Sequence, residues 1–318
     1  LGRNMRVLPL YVVMGGWLSM PALAADAEAW MGRLASAEQN QSYTGTFVYE
    51  RNDSFSSHSV WQQVDGDQVR ERLLQLDGEP AEVVLKDGQV QCASDDLAAQ
   101  VREGQAWTGQ RLDPKALSEW YEFRELGDSR VAGRTSVALA VVPRDQHRYG
   151  FELHLDRDTA LPLKSLMLNE KGQLLERFQF TQFAAGPVSA EQLAPSQACK
   201  PVKMEKRTAS ATSKWRTDWL PPGFKLLDAH ERPSPASSET VSWLSYGDGL
   251  AKFSVFLEPL RGALVEDARS QMGPTVAVSK RISTADGDVM VTVVGEVPLG
   301  TAERVALSMR ADAEQTQK

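Results

Sequence analysis

Cysteine, histidine and long apolar runs are all scarce in this chain. Two cysteines and four histidines stand among 318 residues. Cys92 and Cys199 form no C-x-x-C pair, which removes the redox and zinc motifs built on that spacing. His58, His147, His154 and His230 share no metal-ligand spacing, so no metal site is expected. Basic charge is short too: 35 Lys and Arg against 42 Asp and Glu leave a net charge of -7. Such a chain is a poor general binder of nucleic acid, whose phosphates call for a basic surface. The G-x-S-x-G, H-E-x-x-H and phosphate-loop signatures are absent. Among 42 acids some carboxylate pair is always available, but none is marked out for glycoside hydrolysis. No enzymatic activity and no cofactor are expected.

The one sustained apolar run, Val7 to Met20, follows Arg3 and Arg6 and precedes Ala22 and Ala24. A basic start, an apolar middle and small residues in A-x-A spacing make up a secretory signal peptide. The run is shorter than the about 20 residues a membrane span needs. Residues 1–24 are therefore expected to direct export to the periplasm, with cleavage after Ala24 and a mature chain of roughly 294 residues. In an oxidising compartment Cys92 and Cys199 are a disulfide candidate; two separate thiols are the alternative. A bridge closing so long a loop is worth on the order of 4–5 kcal/mol in the chain-entropy model.

Along the mature chain, "ADAEAWMGRLASAEQNQ" puts Ala27, Trp30, Met31 and Leu34 in one helical stripe. Short alternating runs follow, punctuated by Asp65-Gly66, Asp77-Gly78 and Asp87-Gly88, the strongest short hairpin signal. A helix is expected at "LDPKALSEWYEF", with Asp113 as N-cap and Pro114 in the first turn. Strands resume up to Phe183. Residues 185–213, rich in Ala, Ser, Pro and Lys, read as a linker. Beyond it lie further strands, a hairpin around Gly247-Asp248-Gly249 and a closing helix with Ala302, Val305, Ala306 and Met309 on one face. Strands and helices segregated in this way argue an α+β class.

"HRYGFELHLDRDTALPLKSLMLNEKGQLLERFQF", His147 to Phe180, concentrates charge. Its apolar residues alternate as in half-buried strands, which leaves His154 and Asp156 opposite the aromatic side chains, on a face expected to be wet. The aromatic supply is high: Phe47, Trp61, Trp107, Trp120, Tyr121, Phe123, Phe151, Phe178, Phe180 and Phe183. These residues suit either an ordinary core or a half-barrel whose hollow holds acyl chains.

"GTFVYER", "VRERLLQLDG", "VAGRTSVALAVVPRDQHRYGFELHLDRDTALPLKSLMLNEKGQLLERFQFT", "WLPPGF", "YGDGLAKFSVFLEP" and "VTVVGEVPLGTAERVALS" are collinear segments that closely resemble the MucB/RseB family, over nearly the whole mature chain. The resemblance implies a large N-terminal LolA/LolB-like unclosed antiparallel β-barrel with plugging helices, residues 25–184. It also implies a smaller C-terminal α+β domain, residues 214–318, that binds an anti-sigma factor. The partner would be the periplasmic domain of a transmembrane anti-sigma factor, shielded from site-1 proteolysis and released when lipid A, lipopolysaccharide or lipoprotein acyl chains bind. A homo-oligomer is implied as well. For the acyl chains the expected residues are Phe47, Trp61, Leu74, Leu76, Phe151, Leu153, Phe178 and Phe180. For the anti-sigma factor they are Tyr246, Phe253, Phe256, Arg261, Lys280 and Arg281. A simple periplasmic lipoprotein carrier is the competing function, and the second domain is the feature such a carrier does not need.

Overall fold

Asp87 and Gly88 both take positive φ, 51° and 73°, the backbone of a tight hairpin turn that Asp-Gly adopts readily. Turns of this kind fold the first half of the chain into a meander. The computed structural model describes residues 21–79, 81–94, 112–202, 213–234 and 239–312. Almost all of the expected signal peptide, and Trp107, lie outside them. Helix α1 (Pro21–Asn40) leads into β1 (Tyr43–Arg51), β2 (Ser54–Asp65), β3 (Gln68–Gln75), β4 (Glu82–Lys86) and β5 (Gln89–Ala93). A short helix α2 (Pro114–Leu117) precedes β6 (Tyr121–Val131), β7 (Arg134–Pro143), β8 (Gly150–Asp156), β9 (Pro162–Leu168) and β10 (Leu174–Ala185). As expected, Asp113 caps α2: its carboxylate accepts from the Lys115 and Ala116 amides at 3.1 and 3.2 Å.

The two meanders join through β1 and β10, which pair from Tyr43↔Ala185 to Arg51↔Glu176. With β11 (Lys200–Pro201) they form one antiparallel sheet of eleven strands, ordered β11-β5-β4-β3-β2-β1-β10-β9-β8-β7-β6. Its ends, β11 and β6, do not pair, so the barrel stays unclosed. The sheet nevertheless curls. Val131, at the tip between β6 and β7, packs into a cluster with Phe47, Val60, Leu73, Leu163 and Phe180 from strands far along the order. Close approach is built in at Gly45, where a Cβ would lie 2.3 Å from the Phe180 ring. Helix α1 crosses the inner face and buries Ala27, Met31 and Leu34 against Tyr121, Phe123, Leu139, Val141 and Leu155. No helix of the described residues is long and apolar enough to cross a membrane.

The expected linker at 185–213 is ordered over its first part. Composition hid four anchors: Val188, Leu193, Cys199 and Val202 are all buried. Ser196 donates through its amide and hydroxyl to the Glu82 carboxylate, which also takes the Arg72 guanidinium at 2.7 Å. Burial pushes the Glu82 carboxyl up, but the Ser196 and Arg72 hydrogen bonds outweigh it and hold it below the usual carboxylate range. Cys92 and Cys199 are bridged, with Cα atoms 5.3 Å apart, so this segment is stapled over β3 to β5. Residues 203–212 lie outside the described part.

The second domain is smaller. β12 (Trp215–Thr217) pairs with β19 (Met309–Ala311), tying its beginning to its end. Between them β13 (Lys225–Pro233), β14 (Thr240–Gly247), β15 (Lys252–Pro259), β16 (Ala268–Met272), β17 (Thr275–Thr284) and β18 (Gly287–Gly295) form a six-stranded antiparallel sheet ordered β13-β14-β15-β18-β17-β16. Helix α3 (Leu299–Ser308) covers it, with Ala302, Val305, Ala306 and then Met309 at zero exposure on the expected face. The fold class is α+β in two parts, dominated by strands.

The staple closes a sequence separation of 107 residues, so its loss frees the unfolded chain by on the order of 4–5 kcal/mol. Reduction, or Cys199→Ser, is expected to lower Tm by several degrees in differential scanning calorimetry. An unchanged transition in reductant would contradict this.

Candidate binding face and the domain seam

Strand parity decides which side chains share a face. Val60 and Gln62 are buried on the inner side of β2, so Trp61, between them, points outward. The register carries that parity across the sheet: Trp61 opposes Arg72, and Leu74 opposes Ser59 and Glu82. The Arg72 guanidinium lies over the Trp61 ring, 4.9 Å from its centroid. The Cys199 segment reaches this outer side through Ser196 on Glu82 and the Gln192 carbonyl on Arg72, 3.0 Å away. Leu76 is 49 % exposed. The eight residues expected around acyl chains therefore do not line one hollow. Phe47, Phe151, Leu153, Phe178 and Phe180 share the inner face, whereas Trp61, Leu74 and Leu76 lie behind it.

On the inner face the rings of Phe47 and Phe178 are 4.6 Å apart, Phe178 and Phe180 5.1 Å, and Phe47 and Phe180 5.8 Å. Tyr43, His58 and Phe183 extend the aromatic surface. Phe151 and Leu153 lie further along, against the α1 cluster. At the α1 end of this face the Gln62 side chain donates to the Glu38 and Gln41 carbonyls, 3.3 and 3.0 Å away. Glu71 pairs across from Gln62. Burial raises the carboxyl pKa of both Glu38 and Glu71. It also pushes up the Tyr43 hydroxyl, helped by the charges of Glu71 and Glu38.

The charge of the His147–Phe180 stretch is not on a wet face. His154 and Asp156 are 7 % and 1 % exposed. Asp156 receives Arg134 through two hydrogen bonds, 2.6 and 2.9 Å, and the Thr159 amide and hydroxyl, 3.0 and 2.8 Å. Burial raises its carboxyl pKa, but these donors win and hold it low. His154 bridges Ser129 and Glu152, each at 2.7 Å. A serine, a histidine and a carboxylate in contact are the parts of a hydrolase relay. Here the serine hydroxyl is engaged with Ser136 at 3.1 Å, its cross-strand neighbour on β7. The arrangement is a hydrogen-bonded strand contact.

The two domains meet along a seam at one end of the inner face. Three consecutive residues cross it. The His147 ring is 3.2 Å from the Thr301 hydroxyl, Arg148 pairs with Asp248 at 2.7 Å, and the Tyr149 hydroxyl donates to the Val297 carbonyl at 3.1 Å. At the far end Arg51 reaches Glu296 at 3.3 Å and donates to the Thr275 hydroxyl. Beside the seam lies a cleft of about 640 Å³, walled by His147, Asn169 and Lys171 on one side and by Gln271, Thr301 and Arg304 on the other.

In the second domain Tyr246 and Phe253 are 3 % and 1 % exposed and stack at 5.3 Å. They are core, which corrects the expectation that they grip a partner. The hairpin expected to contact the partner lies inside a six-stranded sheet covered by α3. Phe256 is on the opposite strand face, under the Arg232 guanidinium at 4.9 Å. Arg261 lies on the surface, paired with Glu239 and lining a groove of about 640 Å³ with Trp215 and Leu257. Lys280 and Arg281 are engaged by Asp267 and Asp288.

Comparison with known proteins settles what these parts belong to. Models of the MucB/RseB N-terminal and C-terminal domains match residues 26–201 and 209–310. The chain belongs to the MucB/RseB family. It is 59% identical over 312 residues to "Sigma factor AlgU regulatory protein MucB" of Pseudomonas aeruginosa, covering 97% of this chain and 99% of that one. The complex structure of Pseudomonas aeruginosa MucA/MucB superposes with a TM-score of 0.84 at 60% identity, over 91% of this chain and 99% of that chain. A crystal structure of MucB gives 0.68 at 58% identity, over 90% and 98%. Members of the MucB/RseB family are regulatory proteins, not enzymes.

Sequence reasoning missed the seam. Its signal was present in His147-Arg148-Tyr149, which opens the charged stretch, but nothing local shows that a strand end faces another domain.

A carboxyl held above its unfolded pKa favours the fold at low pH, and that contribution is lost as pH rises through the folded value. Glu71→Gln removes the cost. The variant is expected to melt a few degrees above the parent at neutral pH, with the gap closing below about pH 4, where the unfolded glutamate is also protonated. A pH series of thermal melts checks it; a gap independent of pH would contradict the assignment.

Proposed function

We propose that this chain is a periplasmic regulator that holds the periplasmic segment of a transmembrane anti-sigma factor and shields it from the first proteolytic cut. Acyl chains of lipopolysaccharide or mislocalised lipoprotein, entering the inner face of the unclosed sheet, release that segment and change the oligomeric state. Residues 1–24 would direct its export and be removed by cleavage after Ala24. The observation that carries this reading is the full-length match to MucB, including its structure in complex with MucA. The inner-face aromatics support the lipid half: Phe47, Phe178 and Phe180 offer a contiguous apolar wall. A ligand there moves the equilibrium only if it prefers the partner-free form. The surface cations Arg261, Lys280 and Arg281 and the cleft beside the seam offer contacts to the segment; Tyr246 and Phe253 do not.

The test is a protease-protection assay on the purified periplasmic segment of MucA. The chain is expected to slow its cleavage, and lipopolysaccharide to restore cleavage while the deacylated saccharide does not. Protection that persists unchanged in lipopolysaccharide would remove the sensing half of the proposal.

A further inference from the structure

Both side chains of the Arg148–Asp248 pair have zero exposure, at 2.7 Å. Arg148 directs three further donors to the Asp145 carboxylate, 3.1 and 2.9 Å, and to the Pro222 carbonyl, 2.5 Å. Around it stand Trp120, Tyr121 and Phe224, with centroids 5.8, 5.4 and 5.2 Å from the guanidinium carbon. On the other side, one Asp248 oxygen takes Arg148 and the Tyr121 hydroxyl at 3.1 Å. Its second oxygen is fixed by the Leu250 and Ala251 amides, 2.9 and 2.7 Å, in the turn between β14 and β15. The fit is close elsewhere as well: Gly223, at φ 84°, has no room for a Cβ, which would lie 2.4 Å from the Trp120 ring.

A buried ion pair adds little net stability, because desolvation cancels most of the attraction. Its effect on geometry is larger. With the domains fully seated both charges are paired, and with them fully parted both are in water. A partial opening leaves the desolvated Asp248 carboxylate without its cation, a costly intermediate, while Arg148 keeps Asp145 of its own domain. We infer that Arg148 and Asp248 act as a latch that makes the seam two-state, seated or parted, and that partner binding is linked to the seated state. The inference rests on the proposed anti-sigma reading. The cleft beside the latch has its walls on different domains, so it exists only when the seam is seated. A peptide segment held there stabilises the seated form by its differential affinity, and the latch raises affinity for the segment in return. The seated arrangement of this chain superposes better on the MucA/MucB complex, 0.84, than on the structure of MucB, 0.68.

Asp248→Asn in the full chain tests this. The amide oxygen can still accept from Leu250 and Ala251, so the turn is kept while Arg148 loses a carboxylate. The radius of gyration from solution X-ray scattering is expected to rise, and affinity for the purified MucA periplasmic segment to fall on the order of tenfold or more. Asp156→Asn is the control: it removes an equally buried carboxylate from Arg134 within the first domain, and is expected to lower Tm but leave size and affinity alone. If Asp248→Asn fails to fold, Tyr121→Phe with Tyr149→Phe removes two seam hydrogen bonds, one to the Asp248 carboxylate and one to the Val297 carbonyl, and is expected to shift both readouts the same way by less. An unchanged radius and affinity would overturn the latch. Expansion with unchanged affinity would overturn the linkage to the partner. Failure of the unsubstituted chain to bind the segment would count against the anti-sigma reading, and the scattering comparison would still decide the latch.

Discussion

An antiparallel sheet that curls without closing has an apolar inner face with nothing opposite it. Burying that face is the constraint on which the rest of the molecule depends. An apolar surface of this size cannot remain in water without driving association. Among the described residues it is covered from three directions. Helix α1 lies across β6 to β8, the Val131 tip bends in over β1, β2 and β10, and Leu250 of the second domain packs against the α1 cluster.

An ionisable side chain near a covered face must be paired or must give up its charge. Asp156 and Glu82 are paired, with Arg134 and Arg72. Glu71, at the α1 end of the face, responds by holding its proton more tightly. Arg148 and Asp248 use the pairing across the seam, where it fixes the placement of two domains instead of one strand end. The unpaired strand edge at β5 is dealt with covalently: β11 adds to it and the Cys92–Cys199 bridge holds β11 there.

Local signals in the sequence were reliable where local physics decides. The Asp87-Gly88 turn, the Asp113 cap, the α1 stripe and the α3 face are each set within a few residues, and each is found. The collinear family segments carried the two-domain architecture as well. What could not be read is global. Alternation in β2 shows that Trp61 faces away from Val60, but not which of the two faces is inside. His154 and Asp156 looked solvated because polar residues usually are; their partners Ser129 and Arg134 come from other strands. Tyr246 and Phe253 looked available because a hairpin was read without the sheet around it. The segment after β10 looked like linker because four spaced anchors barely register against its Ala, Ser and Pro.

If the inner face is the surface that ligand occupancy uses, an acyl chain must touch it. A photoactivatable fatty-acyl amphiphile, crosslinked to the full chain and mapped by mass spectrometry, reads this directly. Adducts are expected on Phe47, Phe151, Leu153, Phe178 or Phe180. Adducts confined to Trp61, Leu74 and Leu76, or to the second domain, would contradict it.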